Sequence, residues 1–103
     1  MSMELMGADH FDVFYDNPQD AGRAKRKHLE GILRFFPWMA TVDMFQHWLY
    51  KNPGHDIAAR TVAWEKISGR FTSPVVDWSG YEDTFASRWH AQLHIFHIPF
   101  LLR

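Results

Sequence analysis

Apolar side chains recur every three or four residues along most of this chain, a spacing typical of one side of an α-helix. Breaks fall at residues 17–18, 52–54 and 73–74, where proline removes a backbone donor and asparagine or glycine tolerates turn geometry. No short stretch alternates cleanly between apolar and polar side chains, as a half-buried strand would. The sequence therefore predicts an all-α fold with about four main helices.

The first two predicted helices lie on either side of Pro37. The first begins near Pro18 and the second ends before Asn52. Because helical spacing continues on both sides of Pro37, we expect a kink there rather than a long loop. The basic run at residues 23–27 falls largely outside the first apolar stripe and is expected to face solvent. The apolar sides of the two helices comprise Ala24, Leu29, Ile32, Leu33 and Phe36, then Trp38, Thr41, Val42, Phe45, Trp48 and Leu49.

The third and fourth predicted helices occupy the second half of the chain. The third runs from near His55 to Gly69, because glycine is common where helices end. Ser79, followed three residues later by Glu82, has the spacing of a capping box and predicts the start of the fourth. Their apolar sides comprise Ile57, Thr61, Trp64 and Ile67, then Tyr81, Phe85, Trp89, Leu93, Phe96 and Phe100.

Length and charge exclude several classes of protein. The 103 residues fit one domain, 1–103. With 11 basic and 12 acidic residues the net charge is −1, which argues against nucleic-acid binding. The sequence contains no run of about 18 apolar residues, which a membrane-spanning helix would need. Residues 1–6 do not have the pattern of a secretory signal. Cysteine is absent, which rules out disulfides and thiolate zinc sites and favours a cytoplasmic location.

Two groups of side chains have spacings compatible with metal ligands. His90, His94 and His97 are spaced i, i+4, i+7, so a continuous helix would place them on one side, as a zinc or copper site requires. The alternative is that each histidine serves a separate local role, because the first and third lie two turns apart. Asp9, Asp12 and Asp16 lack the glycine and glutamate of a calcium loop, and we expect surface and capping roles for them.

Several segments resemble, in order, the C-terminal region of bacterial oligoendopeptidase F-like zinc metallopeptidases, within the thimet-oligopeptidase family. The longest is residues 35–50, FFPWMATVDMFQHWLY, followed by NPGH at 52–55. The others are MSMELM at 1–6, VDWSG at 76–80 and WHAQLHIF at 89–96. The resemblance covers nearly the whole chain and is rich in tryptophan and proline landmarks.

This resemblance implies a largely helical catalytic domain around a deep channel, in which zinc is bound by His-Glu-x-x-His and a downstream glutamate. Family members cleave short peptides in the cytoplasm. The chain would begin just beyond the glutamate ligand, and its sequence contains no His-Glu-x-x-His. Glu4 matches an acidic residue that supports the zinc ligands in the family, although an ordinary surface role is the alternative. His94 is the nearest counterpart of a histidine that, with tyrosines missing here, binds substrate and stabilises the oxyanion.

We therefore expect the C-terminal portion of a zinc metalloendopeptidase, inactive alone, with no cofactor of its own. The alternative is a small non-enzymatic helical module that binds a partner or, through His90, His94 and His97, a metal. We also expect a homodimer or higher oligomer, because one shared interior of four short helices cannot cover every large apolar side chain. We expect the aromatic C-terminal helix at the interface. The side chains that this interior cannot all cover are Trp38, Phe45, Trp48, Trp89, Phe96, Phe100 and Leu101.

Overall fold

The structure is a computed structural model that describes residues 2–97. All of its regular elements over this range are helical, and no strand occurs between residues 2 and 97, which confirms the all-α class. The elements in chain order are α1 (Ser2–Gly7), a 3₁₀ segment (Ala8–Val13), α2 (Pro18–Lys51), α3 (Ile57–Gly69), α4 (Glu82–Ser87), a second 3₁₀ segment (Arg88–Ala91) and α5 (His94–His97).

The chain divides into two compact units, which are described separately. Unit 1 comprises Met1–Phe35 and unit 2 comprises Phe36–Arg103. The expected single domain over residues 1–103 stays a prediction.

The first and second predicted helices form one continuous helix, α2. Asn17 precedes it and accepts a hydrogen bond from the Asp20 N–H at 2.8 Å, while its amide donates to the Asp20 carboxylate at 2.7 Å. Pro18 then occupies the first helical position, where a missing N–H costs nothing. The backbone stays helical through Pro37, so the prediction that no long loop follows Phe36 is confirmed.

Unit 1 buries none of the side chains described within it. Its predicted apolar stripe is largely uncovered, since Leu29 is 52% and Leu33 71% exposed. The predicted helical spacing of these residues is correct. Spacing shows which side chains lie on the same side of a helix, but it does not show which other residues cover them. The basic run lies on the surface as expected, with Arg23 paired to Asp20 at 3.1 Å.

Unit 2 contains the hydrophobic core, which forms where α2 and α3 pack together. Trp64 is fully buried and its ring meets Phe45 edge-on at a centroid distance of 5.3 Å. This confirms the predicted apolar sides of the second and third predicted helices, except that Ile57 is 66% exposed and Thr61 is not part of the core. The buried apolar residues are Val42, Phe45, Ala63, Trp64, Ile67, Trp89 and Ile95, and those packed against them are Trp38, Met44, Trp48, Leu49 and Phe71.

Helix α3 begins at Ile57, two residues later than the predicted start. The Asp56 carboxylate accepts a hydrogen bond from the Ala59 N–H at 2.7 Å and so caps the helix. Such a cap satisfies one of the backbone donors that a first helical turn leaves free. The predicted end at Gly69 is correct.

The predicted fourth helix is wrong both in its start and in its continuity. The Ser79 hydroxyl donates to the Asp77 carboxylate at 2.6 Å instead of capping a helix, and Gly80 turns the chain with φ +79°. The helical residues that follow form three short pieces, α4, the second 3₁₀ segment and α5. Gln92 interrupts the last two with φ −91° and ψ 77°. Phe100, at the end of the predicted stripe, lies outside the described residues.

Burial removes two side chains from the expected dimer interface, while the dimer itself stays a prediction. Phe45 and Trp89 are fully or nearly buried in the core of unit 2, so they are not available to a second copy. Trp38 and Trp48 are partly buried against the same core. Phe96 is 55% exposed. Phe100 and Leu101 lie outside the described residues.

Candidate functional site

His94 opens the short helix α5 in unit 2. The next residue, Ile95, is buried in the core, and its N–H donates to the Gln92 carbonyl at 3.0 Å. These contacts position the backbone at His94. The side chain is half-buried, and its Nε2 is shielded from solvent without a hydrogen-bond partner among the described residues. A buried imidazole nitrogen without a partner is an unsatisfied polar group, which is uncommon in folded proteins.

His90 and His97 do not share one continuous helix with His94. His90 belongs to the second 3₁₀ segment, where its ring lies 4.0 Å from that of Trp89, edge-on at 69°. His97 is exposed at the end of α5. The geometry on which the three-histidine metal site depended is therefore not formed. No group of three or more metal-ligating side chains comes together in residues 2–97, and this includes Asp9, Asp12 and Asp16.

Glu4 lies on α1 in unit 1, on an exposed part of that helix. It borders a surface hollow of about 330 Å³ that Lys27, His28 and Phe35 also line. The His28 Nε2 is shielded and has no hydrogen-bond partner among the described residues. Glu4 and His94 thus belong to different units, and each is set in its own local surroundings.

Arginine–tryptophan contacts hold the second 3₁₀ segment (Arg88–Ala91), which precedes His94 in the chain, against other parts of unit 2. The Arg88 guanidinium lies over the ring of Trp38 at 4.7 Å and over that of Trp78 at 5.2 Å. Arg60 of α3 lies over the Trp89 ring at 5.8 Å. Cation–π contacts of this kind contribute about 0.5–2 kcal/mol each, depending on how far they are desolvated. They hold short helices that are too brief to be stable alone.

The turn that leads into α4 is organised by two carboxylates. Hydrogen bonds from the Ser79 hydroxyl and N–H lower the pKa of Asp77 below its ordinary value. The pKa of Glu82 is also lowered, by its own backbone N–H and by that of Gly80. Both side chains are exposed, so these groups shape the turn and are not poised for acid–base chemistry.

Sequence reasoning missed a cavity of about 450 Å³ between α2 and α3 of unit 2. Apolar side chains form its floor and basic side chains stand around it. A signal for it was present, because both helices carry the order apolar, basic, apolar, basic at spacings i, i+3, i+4, i+7. In α2 these residues are Met44, His47, Trp48 and Lys51. In α3 they are Ala63, Lys66 and Ile67, followed by Arg70 directly after the helix.

Within the described residues, no helix is both long enough and apolar enough to cross a membrane. Comparisons of the chain with protein-family models, with curated proteins and with solved structures found no match.

Proposed function

We propose that this chain is the C-terminal portion of an oligoendopeptidase F-like zinc metalloendopeptidase. In this proposal it forms a helical scaffold that presents His94 to a peptide substrate, and it does not hydrolyse peptides by itself. The expected location is the cytoplasm, as in the family that the sequence resembles.

The observation that carries the proposal is where the landmarks of the resemblance lie. The long segment at residues 35–50 supplies Val42 and Phe45 to the core, and the later segment at 89–96 supplies Trp89 and Ile95. The VDWSG segment forms the turn that Asp77 and Gly80 shape. Side chains of the resembling segments therefore stabilise the fold of this chain, which supports a helical scaffold shared with the family.

The described residues do not form a binding site for a zinc ion. The described part contains no set of three histidine, aspartate or glutamate side chains that converge, whereas a catalytic zinc needs three protein ligands. No step of the proposed function is therefore assigned to a metal bound by this chain.

His94 is the one side chain to which we assign a chemical role. The assignment rests on the resemblance, in which His94 is the nearest counterpart of a substrate-binding histidine. Its Nε2 is shielded and has no hydrogen-bond partner among residues 2–97, so this role requires that Nε2 becomes exposed when the rest of the catalytic domain is present. A donor held in place before the reaction stabilises the negative charge that develops on a carbonyl oxygen during peptide hydrolysis. We therefore assign to His94 the binding of the substrate carbonyl.

Two experiments test this function. The nucleotide sequence upstream of the Met1 codon should contain an in-frame His-Glu-x-x-His, intact or interrupted. The second experiment measures cleavage of a quenched fluorescent peptide. The purified chain alone should not cleave this peptide at a chelator-sensitive rate. It should restore cleavage when it is mixed with an oligoendopeptidase F-like chain that ends before this region. His94→Ala should lower the restored kcat/KM by about 10²–10³-fold, and His90→Ala should not. Chelator-sensitive cleavage by the chain alone would contradict the proposal.

Self-association is a second proposal, and the uncovered apolar surface of unit 1 favours it. Leu29 and Leu33 lie one helical turn apart on α2 and are both more than half exposed. A second copy of the chain can cover this surface in a two-fold dimer. Light scattering coupled to size exclusion measures the mass directly, and a mass of one chain at micromolar concentration would contradict the dimer.

A further inference from the structure

The cavity between α2 and α3 has an apolar floor. Ala63 and Ile67 of α3 are buried, while Met44 and Trp48 of α2 are partly buried beside them. Its volume of about 450 Å³ lies within the range of about 300–1,000 Å³ that small-molecule sites occupy. All of its lining residues belong to unit 2.

Cations border this floor on both helices. Lys51, Lys66 and Arg70 are exposed, and none of them forms an ion pair with any residue between 2 and 97. His47 lies near the Asp43 carboxylate, with 3.8 Å between Nε2 and Oδ2. None of the described residues that line the cavity is acidic. Charges of one sign around an apolar cleft attract an ion of the opposite sign.

We propose that this cavity binds a small amphipathic anion, an aliphatic carboxylate of about eight to ten carbons. The hydrocarbon chain would lie on the apolar floor and the carboxylate would meet Lys66 and Arg70. A methylene group is close in size to a water molecule, whose share of the liquid is about 30 Å³, so a ten-carbon chain fits within the cavity. The inference concerns this site alone and does not depend on the peptidase proposal.

Lys51 and Arg70 also stand at the C-terminal ends of α2 and α3. Cations there offset the partial negative charge of a helix end whether or not a ligand binds. The test must therefore separate ligand binding from helix stabilisation, and a series of ligands on the unaltered protein does so.

Calorimetric titration of the full chain with hexanoate, octanoate and decanoate, each below its micelle concentration, tests the apolar floor. We expect saturable binding that tightens by about fourfold per added methylene. Decanol at the same concentration should bind at least about tenfold more weakly than decanoate, because it lacks the charge that the three cations attract. Amide shifts in an NMR titration should centre on Ala63 and Ile67.

Charge reversal tests the basic rim. Lys66→Glu combined with Arg70→Glu should weaken decanoate binding by at least about tenfold, while Lys27→Glu combined with Arg34→Glu changes the net charge equally and should not. Circular dichroism checks that both variants are folded. Absence of saturable decanoate binding, decanol binding as tight as decanoate, or equal loss in the two double variants would each overturn the proposal. The first two outcomes are read on the unaltered protein, so they do not depend on how a variant folds.

Discussion

Trp64 combines ring packing with a side-chain hydrogen bond in the core of unit 2. Its ring is fully buried and meets Trp38 edge-on at 5.8 Å as well as Phe45. Its Nε1–H donates to the Phe85 carbonyl at 3.0 Å, which ties α3 to α4. A buried aromatic with a polar edge thus joins core packing to the placement of the segment that leads to His94.

Trp64→Ala should therefore lower the free energy of unfolding of unit 2 by about 3–5 kcal/mol, the usual cost of removing a buried aromatic ring. Trp64→Phe should cost less, since it keeps most of the ring and loses the hydrogen bond. Urea unfolding followed by circular dichroism measures both. Val62→Ala, at a neighbouring exposed position of α3, is the control. A cost for Trp64→Ala no larger than that of the control would contradict this account.

The Asp77 carboxylate gives the turn before α4 a defined response to acid. Its pKa is lower in the folded chain than in the unfolded chain, because Ser79 donates two hydrogen bonds to the ionised form. The turn is therefore stabilised at pH values above the unfolded pKa, and that stabilisation is lost as the pH falls through the folded pKa. Ser79→Ala removes the hydroxyl donor and should raise the pKa of Asp77 towards its ordinary value. NMR titration of the side-chain carboxyl measures this, and an unchanged pKa would contradict it.

At the scale of elements, Pro37 is the unusual residue of α2. Proline has no N–H, so the carbonyl of Leu33, four residues earlier, lacks its normal helical partner. The Thr41 hydroxyl donates to the Pro37 carbonyl at 2.8 Å, which adds a side-chain contact in the next turn. The helix continues because Val42 and Phe45 bury this part of it against α3.

Pro37→Ala should raise the free energy of unfolding by about 1–3 kcal/mol, because alanine restores the backbone hydrogen bond and removes the ring clash. Thermal unfolding measures the change. Pro53→Ala is the matched control, since Pro53 lies in the turn between α2 and α3 and not inside a helix. A loss of stability in Pro37→Ala would show that the core of unit 2 requires the local shape that proline imposes.

The core-facing side chains of α2 and α3 could be predicted from the sequence because their helical spacing coincides with a partner that covers them. Val42, Phe45, Trp64 and Ile67 are buried as predicted. Leu29 and Leu33 have the same spacing, but no described side chain of unit 1 covers them. Helical spacing does not predict whether another element covers an apolar side.

The last helix could not be predicted because two local patterns compete for Ser79. The Ser-x-x-Glu spacing favours a capping box, whereas Asp77 two residues earlier offers the hydroxyl a nearer acceptor. The nearer acceptor takes it, and the helix begins later. The proposed metal site at His90, His94 and His97 required one continuous helix, and the helix is interrupted at Gln92. Whether His94 contacts a substrate stays a prediction.

At the scale of the whole molecule, buried apolar side chains are distributed unevenly between the two units. Unit 2 has an aromatic core, while the described side chains of unit 1 include none that is buried. The large side chains that unit 1 exposes include Met3, Met6, Val13, Phe14, Leu29 and Leu33. Contiguous exposed apolar side chains are typical of an interaction site, and Leu29 and Leu33, one helical turn apart on α2, are the pair on which we place it.

Leu29→Glu combined with Leu33→Glu should convert the proposed dimer to a monomer, because two buried charges oppose an interface of about 800 Å² per partner. Light scattering at micromolar concentration reads the mass of each variant. Val75→Glu, at a position that is 88% exposed in unit 2, should leave the dimer intact. A dimer that survives the double substitution would place the interface elsewhere than on these two leucines.

All five tryptophans of the sequence, at positions 38, 48, 64, 78 and 89, fall within unit 2. Indole emission is therefore an optical reporter of unit 2 alone, whereas far-ultraviolet ellipticity sums the helices of both units. Cooperative unfolding of the chain as a whole would make the two signals change at the same denaturant concentration. Separate midpoints would mean that unit 1 loses its helices independently, and the gap between the curves would measure that independence without any label or substitution.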